Sequence, residues 1–314
     1  MKVRFVFALL SIMSFILPIT VLSQEYPLLI KTETKANNSV DFFYTKTDPG
    51  NYLVSITLNS LSNCYTTAQK FINANGYSGK LLTLTPDKAD QGIGYGYKYT
   101  IIRGIFKPKI DTNFVYILPF RKGSSVFVAE LGYLKSAFFG ASTPSDWKSY
   151  RFSTEKEDTV LAARKGIVVD IVDKYESEMG YAFTSKRNVI TIEHPDGTIV
   201  YYNGLKKGNI LVKIGQTVYP GSRLGVNSQY NKDSKFDIDF TIVYLKSKDL
   251  ENANEAKFET EKGYYGFVTP KFYVHDKGVV NLNSTQQAYI VSSTPDLINR
   301  ELTKKELKQA SLKK

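Results

Sequence analysis

The chain has 314 residues, with 41 Lys and Arg against 30 Asp and Glu, two His and one Cys. A single cysteine, Cys64, excludes an internal disulfide, so the fold is held by its core, which this length can supply. Part of the net charge of +11 sits in the tail, where Arg300–Lys314 carries six basic and two acidic residues; no basic helix or nucleic-acid motif accompanies it, which argues against a nucleic-acid partner.

Lys2 and Arg4 introduce an apolar run from Val3 to Ile19, and Thr20–Gln24 then turns polar, with Val21 and Ser23 at the small-residue positions. This is the pattern of a cleaved secretory signal over residues 1–23, and it predicts an exported chain, periplasmic or secreted, with no stable membrane insertion after cleavage. The other reading is a membrane anchor. The run lies near the lower limit of about 17–25 residues for a span, and Pro18 interrupts it.

Tyrosine and phenylalanine, 22 and 19, are abundant and recur in short β-prone runs. Tyr26–Thr32, Ser39–Lys46, Asn51–Leu58, Tyr95–Ile105, Asn113–Leu118 and Ser125–Leu131 read as strands. Asp48-Pro49-Gly50 reads as a turn in which glycine takes a positive φ. The strand pattern predicts an immunoglobulin-like β-sandwich over residues 24–140, serving as a spacer or as a binding module. Gly92-Ile93-Gly94-Tyr95-Gly96 shares only its glycine content with a phosphate loop.

Ala141–Trp147 reads as a linker into a second domain spanning 145–270. Within it Asn188–Glu193 and Thr198–Tyr202 flank His194-Pro195-Asp196-Gly197, a strong hairpin signal. Glycines at 166, 215, 221 and 225 punctuate further apolar runs, and Phe236–Tyr244 is strand-like. Asp170, Asp173, Glu176 and Glu178 lack calcium-loop spacing and read as a solvated loop. Residues 271–314 form a C-terminal extension whose Leu297–Lys313 is helix-prone; a frayed basic end and a docked helix both fit it.

Four blocks of the second domain resemble the LytM/lysostaphin-type peptidoglycan endopeptidase family. They are Thr159–Val168, Asn188–Gly197, Tyr202-Asn203-Gly204-Leu205 and Val212–Gly225, and Asp237-Ile238-Asp239-Phe240-Thr241-Ile242 then stands where the family has "H-L-H-F-E". The resemblance implies a mainly β chain whose second part is a LytM-like (duplicated hybrid motif) β-sheet domain with a groove across one sheet. In the family a His and an Asp at the start of the domain and the second His of "H-x-H" bind zinc, while the first His of that pair and the His of "Y-x-H-L" move protons. Carried over, these positions fall at or near Trp147 and Arg151, and at Asp239, Asp237 and Gly204.

A hydrolytic zinc site needs three protein ligands and an open position for water. His194 matches a non-ligand turn residue of the family, and His275 lies beyond the domain. The resemblance therefore implies a pseudo-enzyme with no catalytic residues, no metal and no cofactor. Its groove would be lined by Trp147, Arg151, Tyr202, Asn203, Gly204, Asp237 and Asp239, with Tyr201 beside them. Asp237 and Asp239 share one strand face, and a metal held by this pair alone lacks a third ligand. The expected partner is peptidoglycan or an envelope protein. Two other readings stay open: an active wall metalloendopeptidase with atypical ligands, and a surface protein whose groove is vestigial.

Overall fold

The computed structural model describes residues 27–133, 143–176, 186–229, 235–246, 264–282 and 287–311. The expected signal, part of the expected linker, Glu178 and the last three residues lie outside them. No helix among the described residues is long and apolar enough to cross a membrane.

The first unit is built from β1 (Leu28–Thr34), β2 (Val40–Lys46), β3 (Tyr52–Ser62), β4 (Gln69–Ala74), β5 (Ser78–Leu84) and β6 (Gly94–Arg103). They form two three-stranded antiparallel sheets, in the orders β1-β2-β5 and β4-β3-β6. Alternate residues of each sheet meet in one apolar cluster containing Phe42, Tyr44, Val54, Ile56 and Leu81, as period-two burial requires. The turn at Gly50 departs from expectation, because Gly50 does not take a positive φ. Glycine is needed there for close approach: a Cβ would stand 2.7 Å from the Arg103 guanidinium and 2.9 Å from Val169.

The chain continues with β7 (Val115–Ile117), β8 (Ser125–Glu130), β9 (Tyr150–Thr154), β10 (Thr159–Leu161), β11 (Gly166–Val172), β12 (Asn188–Glu193), β13 (Ile199–Leu205) and β14 (Thr217–Val218). Then come β15 (Arg223–Val226), β16 (Phe236–Leu245), β17 (Tyr265–Phe267), β18 (Lys271–Val274), β19 (Gly278–Asn281) and β20 (Gln287–Ile290). The main sheet runs β14-β11-β12-β13-β16-β9-β8-β20, with β17 also paired to β16. The expected hairpin joins β12 to β13, with Gly197 at φ 84°.

Two groupings drawn from the sequence need correcting. Strands β7 and β8 were expected in the first sandwich, but β8 pairs with β9 and β20, and β7 runs parallel to β18. Residues 271–290, expected as an extension, likewise supply strands to these sheets. Local pattern marks a strand; its partner, more than a hundred residues away for β7 with β18 and for β8 with β20, is set by which apolar faces close the core. That core includes Phe114, Tyr116, Phe152, Tyr202, Phe240 and Phe272.

The two units are fixed to one another. Leu53 and Ile102 of the first meet Leu245 of the second in a small buried cluster flanked by Phe71, Phe106, Tyr264 and Tyr265. Asn51 donates its backbone N–H to Glu193 Oε2 at 2.8 Å, and its side-chain amide donates to Oε1. Arg103 grips Asp48 with both ends of its guanidinium at 3.0 and 3.3 Å, while its carbonyl accepts from Tyr265 Oη at 2.7 Å.

The C-terminal segment is docked, as two short helices: α1 (Pro295–Asn299) and α2 (Lys304–Ser311). Thr294 caps α1 by accepting from Leu297 N. At the start of α2, Thr303 N donates to Glu306 Oε2 at 2.7 Å and Glu306 N donates to Thr303 Oγ1 at 3.3 Å, a reciprocal capping box. Glu306 also accepts from Lys165 Nζ and from Tyr219 Oη, both at 2.8 Å. The Lys165 bond above all holds its pKa at about 2, against an ordinary 4.5. A carboxylate with a depressed folded pKa stabilises above its ordinary value and loses that contribution as pH falls through the folded one. Amide exchange of residues 304–309 is therefore expected to accelerate, relative to the main sheet, as pH falls from 4.5 towards about 2. Unchanged relative protection would mean that this contact does not hold α2.

Candidate functional site

The site is written in the register of three strands. Arg151 of β9 pairs with Asp239 of β16, which pairs with Asn203 of β13. Side chains alternate across a sheet, so these three share one face while Phe152, Phe240 and Tyr202 point to the core. Residues two apart continue the pattern along that open face in rows. One neighbouring row holds Asp237 beside Ser153, and the next on the other side holds Thr241, Tyr201 and Thr191.

Asp239 is enclosed by cations. Arg151 donates from Nε to Oδ1 at 2.8 Å and from Nη2 to Oδ2 at 3.2 Å. Arg187, which immediately precedes β12, adds Nη1 to Oδ2 at 2.7 Å. Burial works most strongly against the Arg151 charge, but the bond to Asp239 together with the charges of Asp239 and Asp237 outweighs it, and its pKa is raised. Asp237 is the more buried acid, and burial raises its pKa against the opposing pull of Ser153 and Arg151.

Of the other expected residues, Gly204 ends the Asn203 side of the row at φ 113°. A histidine there would be strained in a region of backbone that favours glycine. Trp147 packs between Tyr133 and Phe267, at 4.8 and 4.7 Å between ring centroids, and donates Nε1–H to Leu131 O at 2.7 Å. Tyr202 is a correction: it was expected in the groove, but its side chain is fully buried and its hydroxyl accepts from Ala163 N at 2.8 Å. Tyr201 faces outward in its place.

His194 does sit at the hairpin, but buried, with Nδ1 2.9 Å from Thr198 Oγ1 and its ring beside Tyr116. Burial, then the Arg164 charge, pushes its pKa down to about 3, so it is a neutral core residue. His275 is exposed and lies 3.2 Å from Asp276. Arg187 was missed by the sequence reading; it carries no motif, and its only signal was adjacency to the Asn188 block.

Residues 145–249 match the family described as Peptidase family M23. The chain carries an M23 domain. No curated protein matches the chain. Similar solved structures include a SpoIIIAH–SpoIIQ complex, 18% identical, covering 44% of this chain and 90% of that one with a TM-score of 0.24. A candidate peptidase M23 from Pseudomonas aeruginosa is 13% identical over 60% of this chain and 87% of that one, with a TM-score of 0.28. A zinc-containing peptidase from Vibrio cholerae is 12% identical over 68% and 77%, with a TM-score of 0.25. Likenesses this slight say nothing about what the chain binds.

The M23 family implies zinc, and the donor set at this place does not fit it. Among the described residues no three His, Cys, Asp or Glu side chains gather closely enough to hold an ion. The carboxylate at the family's ligand position already accepts three N–H bonds from two guanidiniums. A divalent cation would have to break charge-assisted bonds, each worth about 1.5–3 kcal/mol, and then sit against two fixed positive charges.

Proposed function

We propose that the chain is an exported cell-envelope protein whose M23 domain is catalytically inactive and uses its open sheet face to bind peptidoglycan or an envelope partner. The observation that carries this is the Arg151–Asp239–Arg187 cluster, in which two cations occupy the neighbourhood a hydrolytic ion needs. Glycine at 204 removes the family's proton-transfer histidine as well. Export rests on the charged and apolar pattern of residues 2–23. The first unit, immunoglobulin-like by its strand pattern, acts as a fixed wall beside the groove, since Asn51, Arg103 and the Leu53–Ile102–Leu245 cluster tie it to the M23 sheet.

The test is the zinc content of the purified chain by elemental analysis, with and without added zinc. The expected result is far below one zinc per chain, with no hydrolysis of purified cell wall. One zinc per chain retained through gel filtration, together with wall-peptide cleavage lost in Asp239→Ala, would establish a metalloendopeptidase with atypical ligands.

A further inference from the structure

The C-terminal segment docks without covering its own apolar side chains. α1 buries none of its residues although it carries Leu297 and Ile298, and Leu302, in the link to α2, is only half-buried. Ile298 and Leu302, with Pro295, line a crevice of about 500 Å³ whose walls are completed by Tyr219, from the turn between β14 and β15. The lining is mainly apolar, and no residue of the Arg151–Asp239–Asn203 face belongs to it. Small-molecule sites run to roughly 300–1,000 Å³, so the crevice has the size of one. It does not have the size of a protein interface: ten residues line it, against about 20–30 on each side of a stable complex.

The edge of the crevice is positive. Lys122, in the turn between β7 and β8, lines it and is exposed, and among the described residues no carboxylate pairs with it. Lys305 stands one turn before Gln309 on α2, and residues four apart share a helix face; Gln309 lines the crevice, and Lys305 has no ion-pair partner among the described residues either. Glu306 is the one acid in the lining. Its oxygens accept from Lys165, Tyr219 and Thr303, so its charge is already answered within the fold. Apolar walls with an unanswered ammonium at their edge are complementary to a molecule that has an apolar chain and one anionic head.

We propose that this crevice binds a single-chain anionic amphiphile, a lipid monomer with a carboxylate or phosphate head. Its chain lies between Ile298, Leu302 and Tyr219, and its head meets Lys122. Burial of the chain supplies affinity, about fourfold for each methylene taken fully out of water. Lys122 selects the head. A ligand seated there touches both the α1 side and the α2 side of the crevice, so it stabilises the docked form of the segment, as any ligand stabilises the state it binds. The site is separate from the open sheet face and stands whether or not that face binds wall.

The probe is dodecanoate, kept below its micelle-forming concentration at neutral pH and titrated by NMR against the full mature chain. Octanoate, dodecyltrimethylammonium and the neutral dodecyl maltoside are titrated beside it. Dodecanoate is expected to shift the amides of residues 293–309 and of Tyr219, and to slow amide exchange in α1 and α2. It is expected to bind at least about tenfold more tightly than octanoate, and several-fold more tightly than the cationic and neutral heads. Lys122→Glu, a change at an exposed side chain, is expected to weaken dodecanoate several-fold and to favour the cation. Ile298→Ser is expected to weaken all the chains alike, with amide protection of the main sheet reporting that the variant is folded. Equal binding of the three head types overturns the proposal by leaving only apolar adsorption, and so do shifts centred away from the crevice or no binding at all. Binding to phosphatidylglycerol vesicles without binding of monomeric dodecanoate overturns it in favour of a membrane surface. Shifts in residues 293–309 on concentrating the chain alone, with a dimer by light scattering that dodecanoate does not dissociate, overturn it in favour of a second copy.

Discussion

Arg164→Ala is expected to destabilise the protein by about 3–5 kcal/mol, the range for removing one partner from a buried ion pair, seen as a lower urea midpoint at unchanged slope. Its guanidinium is 2% exposed and sits 3.8 Å from the Phe114 ring centroid. Nη1 donates to Asp196 Oδ2 at 2.9 Å and to Tyr116 Oη at 3.1 Å, while Nη2 donates to Glu301 Oε1 at 2.6 Å. Truncation leaves Asp196, which lies in the hairpin turn, and Glu301, which lies between α1 and α2, without the charge they face. The C-terminal segment should loosen with it, so amide protection over 295–309 should fall further than in the sheet. Burial opposes ionisation of Asp196, yet Arg164 and Thr198 hold its pKa below the ordinary value. Its contribution is therefore present above the ordinary carboxylate range and is lost as pH falls through the depressed value. The alanine variant should show a shallower acid transition than the parent. A loss below about 1 kcal/mol would mean that water replaces both carboxylates at little cost.

Arg164 shows where sequence reading stops. The block Leu161-Ala162-Ala163-Arg164-Lys165-Gly166 was legible as an apolar entry into a strand, and the β12–β13 hairpin was legible from Asp196-Gly197 alone. Local chemistry specified both. That Arg164 reaches Glu301 was not legible, because the two lie far apart in sequence and only the packed core brings them together. The capping box at Thr303 and Glu306 is legible in the Thr-x-x-Glu spacing, within a tail whose basic composition equally fits a frayed end. Tyr202 is an error of a different kind. Strand alternation already placed Tyr201 and Asn203 on one face and Tyr202 on the other, so grouping all three in a groove contradicted the period-two rule. The row Arg151–Asp239–Asn203 needed the pairing of β9, β16 and β13, which family spacing approximated to within a residue or two but local pattern does not supply.

Phe240→Ala is expected to cost about 3–5 kcal/mol by thermal or urea unfolding. Phe240 stands at the aromatic position of the family's "H-L-H-F-E" block, between Asp239 on the open face and the core beneath. Its ring meets Tyr202, Phe152 and Phe272 at 5.2, 5.5 and 5.9 Å between centroids, two of them edge-on and the third inclined at 61°. Neighbouring rings cannot collapse into the space it leaves without giving up these contacts, so the cavity term adds to the lost transfer free energy. The consequence for the site follows from alternation. The residue whose side chain fills the core is the chain neighbour of the one that holds Arg151 and Arg187, so relaxation of β16 into the cavity shifts Asp239. Phe240→Ala should therefore weaken binding at the open sheet face in the fraction that remains folded, whereas Phe272→Ala, which removes a ring from the same core but from β18, should cost comparable stability and leave binding closer to the parent. Equal loss of binding in the two variants would show that general softening of the core, rather than placement of β16, governs the site.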